Sequence, residues 1–500
     1  MECPNAKYNC WNCPALNLKG YVDFRACGQT SKLVNEGYVM AECHRRPDLG
    51  VFEPEISFEQ CSEWKLNKDY NMYMLKDMRV MILGIDGYLG WTLALKLGKL
   101  GFKVSGIDNF WRRDCVKEKE SHSIIPIEDM RNRIRIAKEV LGIDIDFKKI
   151  DITDTDKLKN YLKTIKPEAI IHYAECPSAP YSMVDMKHAI KVQENNVLGT
   201  LGLLWLIKET VPESCLIKLG TMGEYGTPLT GRPLFEGIFP ADAILKWNNE
   251  EWSLGGELTP RDPCSFYHVS KVQDTFNVYE SCKYWRLRSY DVMQGIIYGT
   301  HTDEVSADPR LRTRLDNDEW FGTVINRFVT QAIINNPLTV YGTGEQLRGA
   351  IALNDAMDCM VRLICCPPVP GQYSVVNQVS GLYSINEIAN TVKTVGKDFN
   401  HDVKINHFEN PRVESDKHPL NVVATELPKR GFTPMTNLKK GISEMFRCLT
   451  DKQIIPRIKQ TKDSIVPKTR WNGESKEVKI INIDDKKQEY TPIMHGIKWK

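Results

Sequence analysis

The stretch from Met78 to Asn109 constrains the fold more than any other part of the chain. An apolar run, Val80-Met81-Ile82-Leu83, leads into Gly84-Ile85-Asp86-Gly87-Tyr88-Leu89-Gly90, and an apolar-periodic segment follows to Leu100. After Gly101-Phe102-Lys103 a second apolar run closes on Asp108-Asn109. This order predicts a buried strand, a glycine turn, a helix and a second strand ending in an acid. Glycines at 84, 87 and 90 allow a tight turn, close approach of backbone to a pyrophosphate, and packing of helix on strand. The helix N-terminus then offers free N–H groups and the positive end of its dipole to phosphate. An acid about 20 residues beyond the glycines suits the adenosine ribose hydroxyls and favours NAD over NADP. Arg112 and Arg113 follow closely and blur that preference. On this reading the turn (with Asp86, Tyr88 and Leu89), Asp108, Asn109 and the two arginines surround a dinucleotide. The alternative is a glycine turn in an α/β unit that binds no nucleotide.

The chain has 500 residues, enough for two or three structural units. With 42% hydrophobic and 26% charged residues it reads as globular and soluble. A net charge of +2 argues against a nucleic-acid-coating or membrane-surface protein. No run approaches the roughly 18 apolar residues of a spanning helix, and the start Met1-Glu2-Cys3-Pro4 lacks the pattern of a signal peptide. Fifteen cysteines, an odd number spread through apparent helices and strands, fit reduced thiols in a cytoplasmic protein.

Four regions are expected. Residues 1–75 carry six of the fifteen cysteines and show no sustained periodicity. Cys10-Trp11-Asn12-Cys13 can place two thiolates on one metal, zinc or an iron–sulfur cluster. The alternative is a cysteine-rich extension packed on the main domain. Residues 78–295 read as the dinucleotide-binding domain and 296–450 mainly as a substrate domain with interleaved sheet elements. Residues 451–500 read as a polar C-terminal extension, a solvated arm or a loosely packed one. Within the second region, Ile143 to Phe147 leads to Asp151-Ile152, an acid–apolar pair that ends a strand beside the adenine or caps a helix. Glu168 to Ala174 is a further buried strand whose end at Ala174 faces the ligand crevice, with His172 a core histidine. Val184 to Thr210 reads as helix and Cys215 to Gly220 as strand. The alternation implies α/β architecture, a doubly wound parallel sheet of Rossmann type with a smaller α/β domain.

The strand at Leu219 runs into Thr221, whose hydroxyl sits where a strand end meets the crevice. Downstream, Tyr267-His268-Val269-Ser270-Lys271 holds Tyr and Lys four apart, on one helix face. The ammonium of Lys271 is expected to lower the phenol pKa of Tyr267, making it a general base on a sugar hydroxyl with Thr221 in support. The alternative is an exposed helical pair.

From these residues onward the chain resembles the extended short-chain dehydrogenase/reductase family of nucleotide-sugar enzymes, and within it the UDP-sulfoquinovose synthase group. The resemblance rests on the glycine turn, Ser178-Ala179-Pro180-Tyr181-Ser182-Met183, Thr221-Met222-Gly223-Glu224-Tyr225-Gly226 and Phe266-Tyr267-His268 through Lys271. It continues through Gln294-Gly295, Leu338-Thr339-Val340-Tyr341-Gly342, Gln346, Arg348-Gly349 and Asn410-Pro411-Arg412-Val413-Glu414, and covers about 78 to 450. It implies that NAD oxidises UDP-glucose at C4, water leaves across C5–C6, sulfite adds at C6 and the hydride returns. Glu224 and His268 are then candidates for the C5–C6 proton transfers. Ser178, Thr221, Gln294, Val340, Tyr341, Gln346 and Glu414 become substrate contacts. Arg327, Arg348 and Arg412 are diphosphate or uridine contacts, since guanidinium forks suit phosphate. Homodimerisation through two long helices is implied too. The relatives read Glu-Gln-Arg before Ser-Ala-Pro, where this chain reads Glu175-Cys176-Pro177. With that arginine gone, a UDP-sugar 4-epimerase or dehydratase using the same oxidation stays open. So does a metal or sulfur-delivery module fused to such an enzyme.

Overall fold

The computed structural model describes residues 77–228, 230–415, 418–468, 470–472 and 478–482, with the backbone of four two-residue strands between 18 and 52. The Cys10–Cys13 knuckle lies outside the described residues.

Strand β1 (Arg79–Leu83), helix α1 (Tyr88–Lys99) and strand β2 (Lys103–Asp108) form the first unit. Gly84 adopts a positive φ of 85°, and a Cβ there would sit 2.7 Å from the Tyr173 carbonyl. A Cβ on Gly90 would lie 2.2 Å from the Gly84 oxygen, so only glycine lets α1 start against the turn. The chain continues through α2 (Trp111–Glu118), α3 (Met130–Leu141), β3 (Ile145–Lys149), α4 (Thr155–Ile165) and β4 (Ala169–His172). The charged segment after β2 is thus helical where it begins.

The span from Val184 to Thr210 is not one regular helix. Helix α5 (Met186–Gln193) runs through a π-helical turn at Glu194–Leu198 into α6 (Gly199–Thr210). The widened turn projects Asn195 and Asn196 sideways. Asn196 exchanges hydrogen bonds with the backbone of Cys176 at 2.8 and 3.3 Å, and Asn195 donates to the Ala174 carbonyl at 3.2 Å. Such turns recur at functional sites; here it fixes the loop after β4.

Strand β5 (Cys215–Leu219), α7 (Phe266–Trp285) and β6 (Arg288–Gln294) follow. The Trp-containing insertion before α7 is a hairpin, Ile244–Trp247 against Glu250–Ser253, turned by Asn248 and Asn249 at positive φ. Beyond come β7 (Ile296–Tyr298), α8 (Val324–Ile333), β8 (Leu338–Tyr341), β9 (Leu347–Ala352), α9 (Leu353–Cys365), β10 (Tyr373–Gln378), β11 (Gly381–Ser384), α10 (Ile385–Asp398), β12 (Ile405–Phe408) and α11 (Leu438–Leu449). The main sheet is seven-stranded and parallel, in the order β10-β6-β5-β4-β1-β2-β3. Its order reverses between β1 and β4, and their carboxyl ends open the crevice where open α/β sheets bind ligands. Both faces are covered, and β1 and β4 are buried along almost their whole length.

The smaller layer has two three-stranded sheets, β7-β9-β11 and β8-β12 with Ile480–Ile481. The tail therefore does not leave the body at 450. Ile454, Ile458, Ile465 and Trp471 are buried, and Arg457 donates to the Ser123 carbonyl. Apolar residues spaced through this charged segment dock it on the substrate side. Among the described residues no helix is long and apolar enough to cross a membrane, and no cluster of three or more His, Cys, Asp or Glu could hold a metal ion.

Candidate active site

A cavity of about 490 Å³ lies over the carboxyl ends of β1, β4 and β5, walled on its far side by α8, β8, β9 and the segment 411–471. That is within the size of small-molecule sites, roughly 300–1,000 Å³.

The dinucleotide end is built on the glycine turn. The N-cap Gly87 supplies no side-chain acceptor, and the first turn of α1 carries no acid, so its leading N–H groups keep their donors. Asp108 accepts from the backbone of Asp86 at 2.9 Å and of Phe110 at 2.7 Å, and burial raises its pKa to about 6. Asn109 donates to Asp151 at 2.7 Å. Gly84, Gly87, Tyr88, Leu89, Gly90, Asp108, Asn109, Ile152 and Ala174 line the cavity, whereas Asp151 stands behind Asn109. These features fit NAD. The open helix end would hold the pyrophosphate and the Asp108 carboxylate the ribose hydroxyls.

The two arginines after Asn109 have structural partners. Arg113 does not line the cavity; it pairs with Asp86 at 2.7 Å and bonds the Glu128 carbonyl. Arg112 lines the cavity but pairs with Asp316 at 2.8 Å and lies 3.6 Å from the centre of the Phe321 ring. The Asp86 side chain is taken up twice, since the fully buried Arg133 also binds it at 2.7 Å. Nothing in the spacing of the α3 segment announced Arg133.

At the chemical end, Thr221, Tyr267, His268 and Lys271 line one wall. Ser265 caps α7, and Ser182 accepts from the Tyr267 backbone at 3.0 Å, fixing where that ring starts. A Thr221 hydroxyl contact favours the ionised phenol, but burial outweighs it and pushes the Tyr267 pKa up. The expected lowering is therefore not a property of the protein alone. The Lys271 ammonium lies 5.9 Å from the phenol ring centre and is held by the Leu219 carbonyl at 2.6 Å and by Glu175. Burial holds the Lys271 pKa down, at about 8. His268 Nδ1 lies 2.9 Å from the Ser265 hydroxyl and 3.3 Å from the Cys264 thiol, and burial holds the ring neutral, with a pKa of about 3.

Glu224 does not stand where a C5–C6 proton carrier would have to be. Its carboxylate is fully buried and faces away from the cavity. It closes a capping box on Thr221, accepts from Thr275 at 2.8 Å and pairs with Lys218 at 3.4 Å. It shapes the turn that presents Thr221 and cannot reach a sugar.

On the substrate side, Ser178, Gln294, Arg327, Tyr341, Gln346, Arg348, Arg412 and Glu414 line the cavity. Val340 does not: strand alternation turns Thr339 and Tyr341 inward and sends Val340 into the core. The Ser178 hydroxyl is committed to capping Tyr181 and to the Trp320 carbonyl. Arg327 donates to the Tyr341 hydroxyl at 2.7 Å, and its Nε has no protein partner. Arg348 is bidentate on Glu414 at 2.6 and 2.7 Å and 3.0 Å from His418. Arg412 stacks over Trp471 at 5.2 Å. Gln346 Oε1, Trp320 Nε1, Tyr173 Oη and Arg112 Nη1 are buried cavity-wall atoms without protein partners. Unpaired buried polar atoms are costly, and here they converge on one space. Trp320, Trp471 and Glu175 were not singled out from the sequence as site residues.

Residues 80–375 match the model of the NAD dependent epimerase/dehydratase family. The UDP-sulfoquinovose synthase of Sulfolobus acidocaldarius is 41% identical over 79% of this chain and 98% of its own length. The corresponding chloroplastic enzyme of Spinacia oleracea is 37% identical over 78% of this chain and 81% of its own. The crystal structure of UDP-glucuronic acid 4-epimerase from Bacillus cereus, in complex with UDP-glucuronic acid and NAD, shares the fold with a TM-score of 0.52. It covers 77% of this chain and 99% of its own at 19% identity. With a family match over more than half of its length and a 41% identical relative matched over 98% of that relative's length, the chain belongs to the NAD dependent epimerase/dehydratase family.

Proposed function

We propose that this chain converts UDP-glucose and sulfite to UDP-sulfoquinovose and water, through a 4-keto sugar. The observation that carries the reading is the single cavity joining Tyr267, Thr221 and His268 to Arg327, Arg348 and Arg412, in a chain so close to two synthases of that name. NAD held at the glycine turn and Asp108 would supply the hydride acceptor for C4 and the same hydride for its return. Tyr267 takes the C4 hydroxyl proton, and Thr221 hydrogen-bonds the same oxygen. The ammonium of Lys271 favours the phenolate that burial opposes. His268, neutral and beside Tyr267, moves the proton between C5 and the departing C6 hydroxyl. Arg327 and Arg412 hold the diphosphate, while Gln346 and Tyr341 bound the uridine end.

The test is incubation with UDP-glucose and sulfite, followed by mass spectrometry. A sulfonated nucleotide sugar is expected; its absence sinks the reading. Cys176-Pro177, standing in the wall in place of a glutamine and an arginine, favours a second ending without sulfite. An unchanged mass with inverted C4 would mean epimerisation, and a loss of water would mean dehydration.

The working form is a homodimer in this proposal. Leu198, Leu201, Trp205, Phe276 and Tyr284 are exposed on α6, α7 and the π-helical turn, an apolar face of the kind that marks an interface. Sedimentation would show twice the chain mass. Free thiols at the described cysteines support a reducing cytoplasmic compartment. The Cys10–Cys13 segment is proposed to bind zinc or an iron–sulfur cluster, which metal analysis with and without residues 1–75 decides.

A further inference from the structure

We infer that Glu175 is a positioning residue for the Lys271 ammonium, held in its own place by His172 and Thr200. The inference rests on the reading of Lys271 as the partner of Tyr267. Both side chains are almost wholly buried, at 3% and 2% exposure, and a Glu175 carboxylate oxygen contacts Lys271 Nζ. The other oxygen lies 3.2 Å from His172 Nε2. That same ring nitrogen is 2.9 Å from the Thr200 hydroxyl on α6.

The histidine protonation follows from its surroundings. Burial, with Lys271 and Lys218 nearby, holds His172 well below its usual pKa, so it is neutral. Its Nδ1 has no hydrogen-bond partner. The single ring proton therefore sits on Nε2, facing the Thr200 hydroxyl, with the Glu175 carboxylate alongside. An ammonium has three donors. One goes to the Leu219 carbonyl, and the Glu175 carboxylate lies against the ammonium as an ion pair.

The charge balance around Lys271 makes Glu175 decisive. Asp274 on the same helix and Asp291 from β6 both favour the ammonium, and burial opposes it. Lys218 from β5 lies within reach, donating to the Lys271 carbonyl at 3.2 Å. Asp291 and Glu224 are paired with Lys218 at 3.2 and 3.4 Å. Burial pushes the Asp274 carboxyl up, which reduces its charge near neutrality. Tyr267 is neutral, and so is His172. Glu175 is thus the carboxylate in direct contact with the lysine. A neutral amine at 271 would leave only the Thr221 hydroxyl to favour the phenolate. The residue keeps Lys271 charged at the pH where the reaction runs.

Two measurements on the full chain test this, comparing wild type with Glu175→Gln and Glu175→Asp. The first is acetylation of Lys271 by acetic anhydride across pH, read by mass spectrometry of the peptide. Removing an opposite charge at contact should move the midpoint down by about one unit or more in Glu175→Gln, and by less in Glu175→Asp. The second is the pH profile of reduced-nicotinamide formation on adding UDP-glucose to the NAD-loaded protein. Its alkaline limb should move the same way, with KM for UDP-glucose unchanged. Equal midpoints in all three proteins overturn the inference, as does a slower rate with an unmoved limb. If Glu175→Gln fails to fold, the Asp variant must still show the smaller shift. A labelling shift in a protein that forms no reduced nicotinamide would overturn the catalytic reading of the site and leave the positioning role standing.

Discussion

Arg133 Nη1 lies 2.7 Å from Asp86 Oδ1 directly beneath the glycine turn, with the arginine fully buried and its guanidinium 4.1 Å from the centre of the Trp91 ring. The turn that presents backbone to a dinucleotide is thus anchored by a buried charge pair, doubled by the half-buried Arg113 on the other carboxylate oxygen. Burial lowers the Arg133 pKa to about 10, so the guanidinium stays charged and needs its acid. Asp86→Asn should cost about 3–5 kcal/mol, because it strands a buried charge. Arg133→Met should cost far less, since Asp86 keeps Arg113 and the thioether can pack on Trp91. Urea denaturation of both variants checks this. Equal losses would mean that packing, not charge, sets the cost.

Asp108 predicts a pH dependence of NAD binding. Its folded pKa is raised from 3.8 to about 6. Between those values the folded protein binds the proton more tightly than the unfolded one, so this group's contribution to stability falls as pH rises from about 4 to about 6. The ionised form would accept hydrogen bonds from the ribose hydroxyls of NAD, so NAD affinity should rise over the same interval. Calorimetry should show tighter binding at pH 7 than at pH 5. Asp108→Asn should bind more weakly at pH 7 and lose the dependence. A flat wild-type profile would place the ribose elsewhere.

The contrast between Thr221 and Glu224 shows which parts of the site were legible in the sequence. Tyr267, Lys271 and the glycines announce themselves because their chemistry depends on spacing within one turn or one helix face. For Glu224 the sequence offers only adjacency to Thr221. Yet Thr-x-x-Glu is also the spacing of a capping box, and that local bond won, turning the carboxylate inward. Val340 adjoins Tyr341 in sequence, but period two puts the two on opposite faces of the strand. Arg133 and Asp86 are 47 residues apart and meet only because α3 packs beneath α1. No local pattern carries that. The alternating strands and helices were readable from hydrophobic period alone, whereas the π-helical turn inside the long helix was not.

Trp471 ties the tail to substrate binding. Its backbone donates to the Pro411 carbonyl at 3.0 Å and its ring lies beneath Arg412. Lost support for one guanidinium is worth about 1 kcal/mol, or roughly fivefold in affinity. Trp471→Ala should therefore raise KM for UDP-glucose about fivefold and leave kcat near its wild-type value. Steady-state kinetics decides. A fall in kcat with unchanged KM would instead make the tail part of the chemistry.

His268 separates the two halves of the proposed reaction. Tyr267, Thr221 and Lys271 act at C4, and the neutral imidazole beside them acts at C5 and C6. His268→Asn should keep the first half, so adding UDP-glucose to the NAD-loaded variant still produces reduced nicotinamide. Formation of the sulfonated product should fall by about 10²–10⁴, the usual contribution of one general acid–base group. Tyr267→Phe should abolish both signals while leaving NAD bound. Because burial holds His268 near pKa 3, its protonation gives no acid limb above about pH 4, and any limb seen there in the wild type should persist in the variant. Should His268→Asn lose nicotinamide reduction as well, the ring serves the C4 step through Tyr267, whose ring centre is 5.0 Å away. The C5 proton would then need another carrier on the same wall, and Cys264, 3.3 Å from the imidazole, is the side chain placed to be examined next.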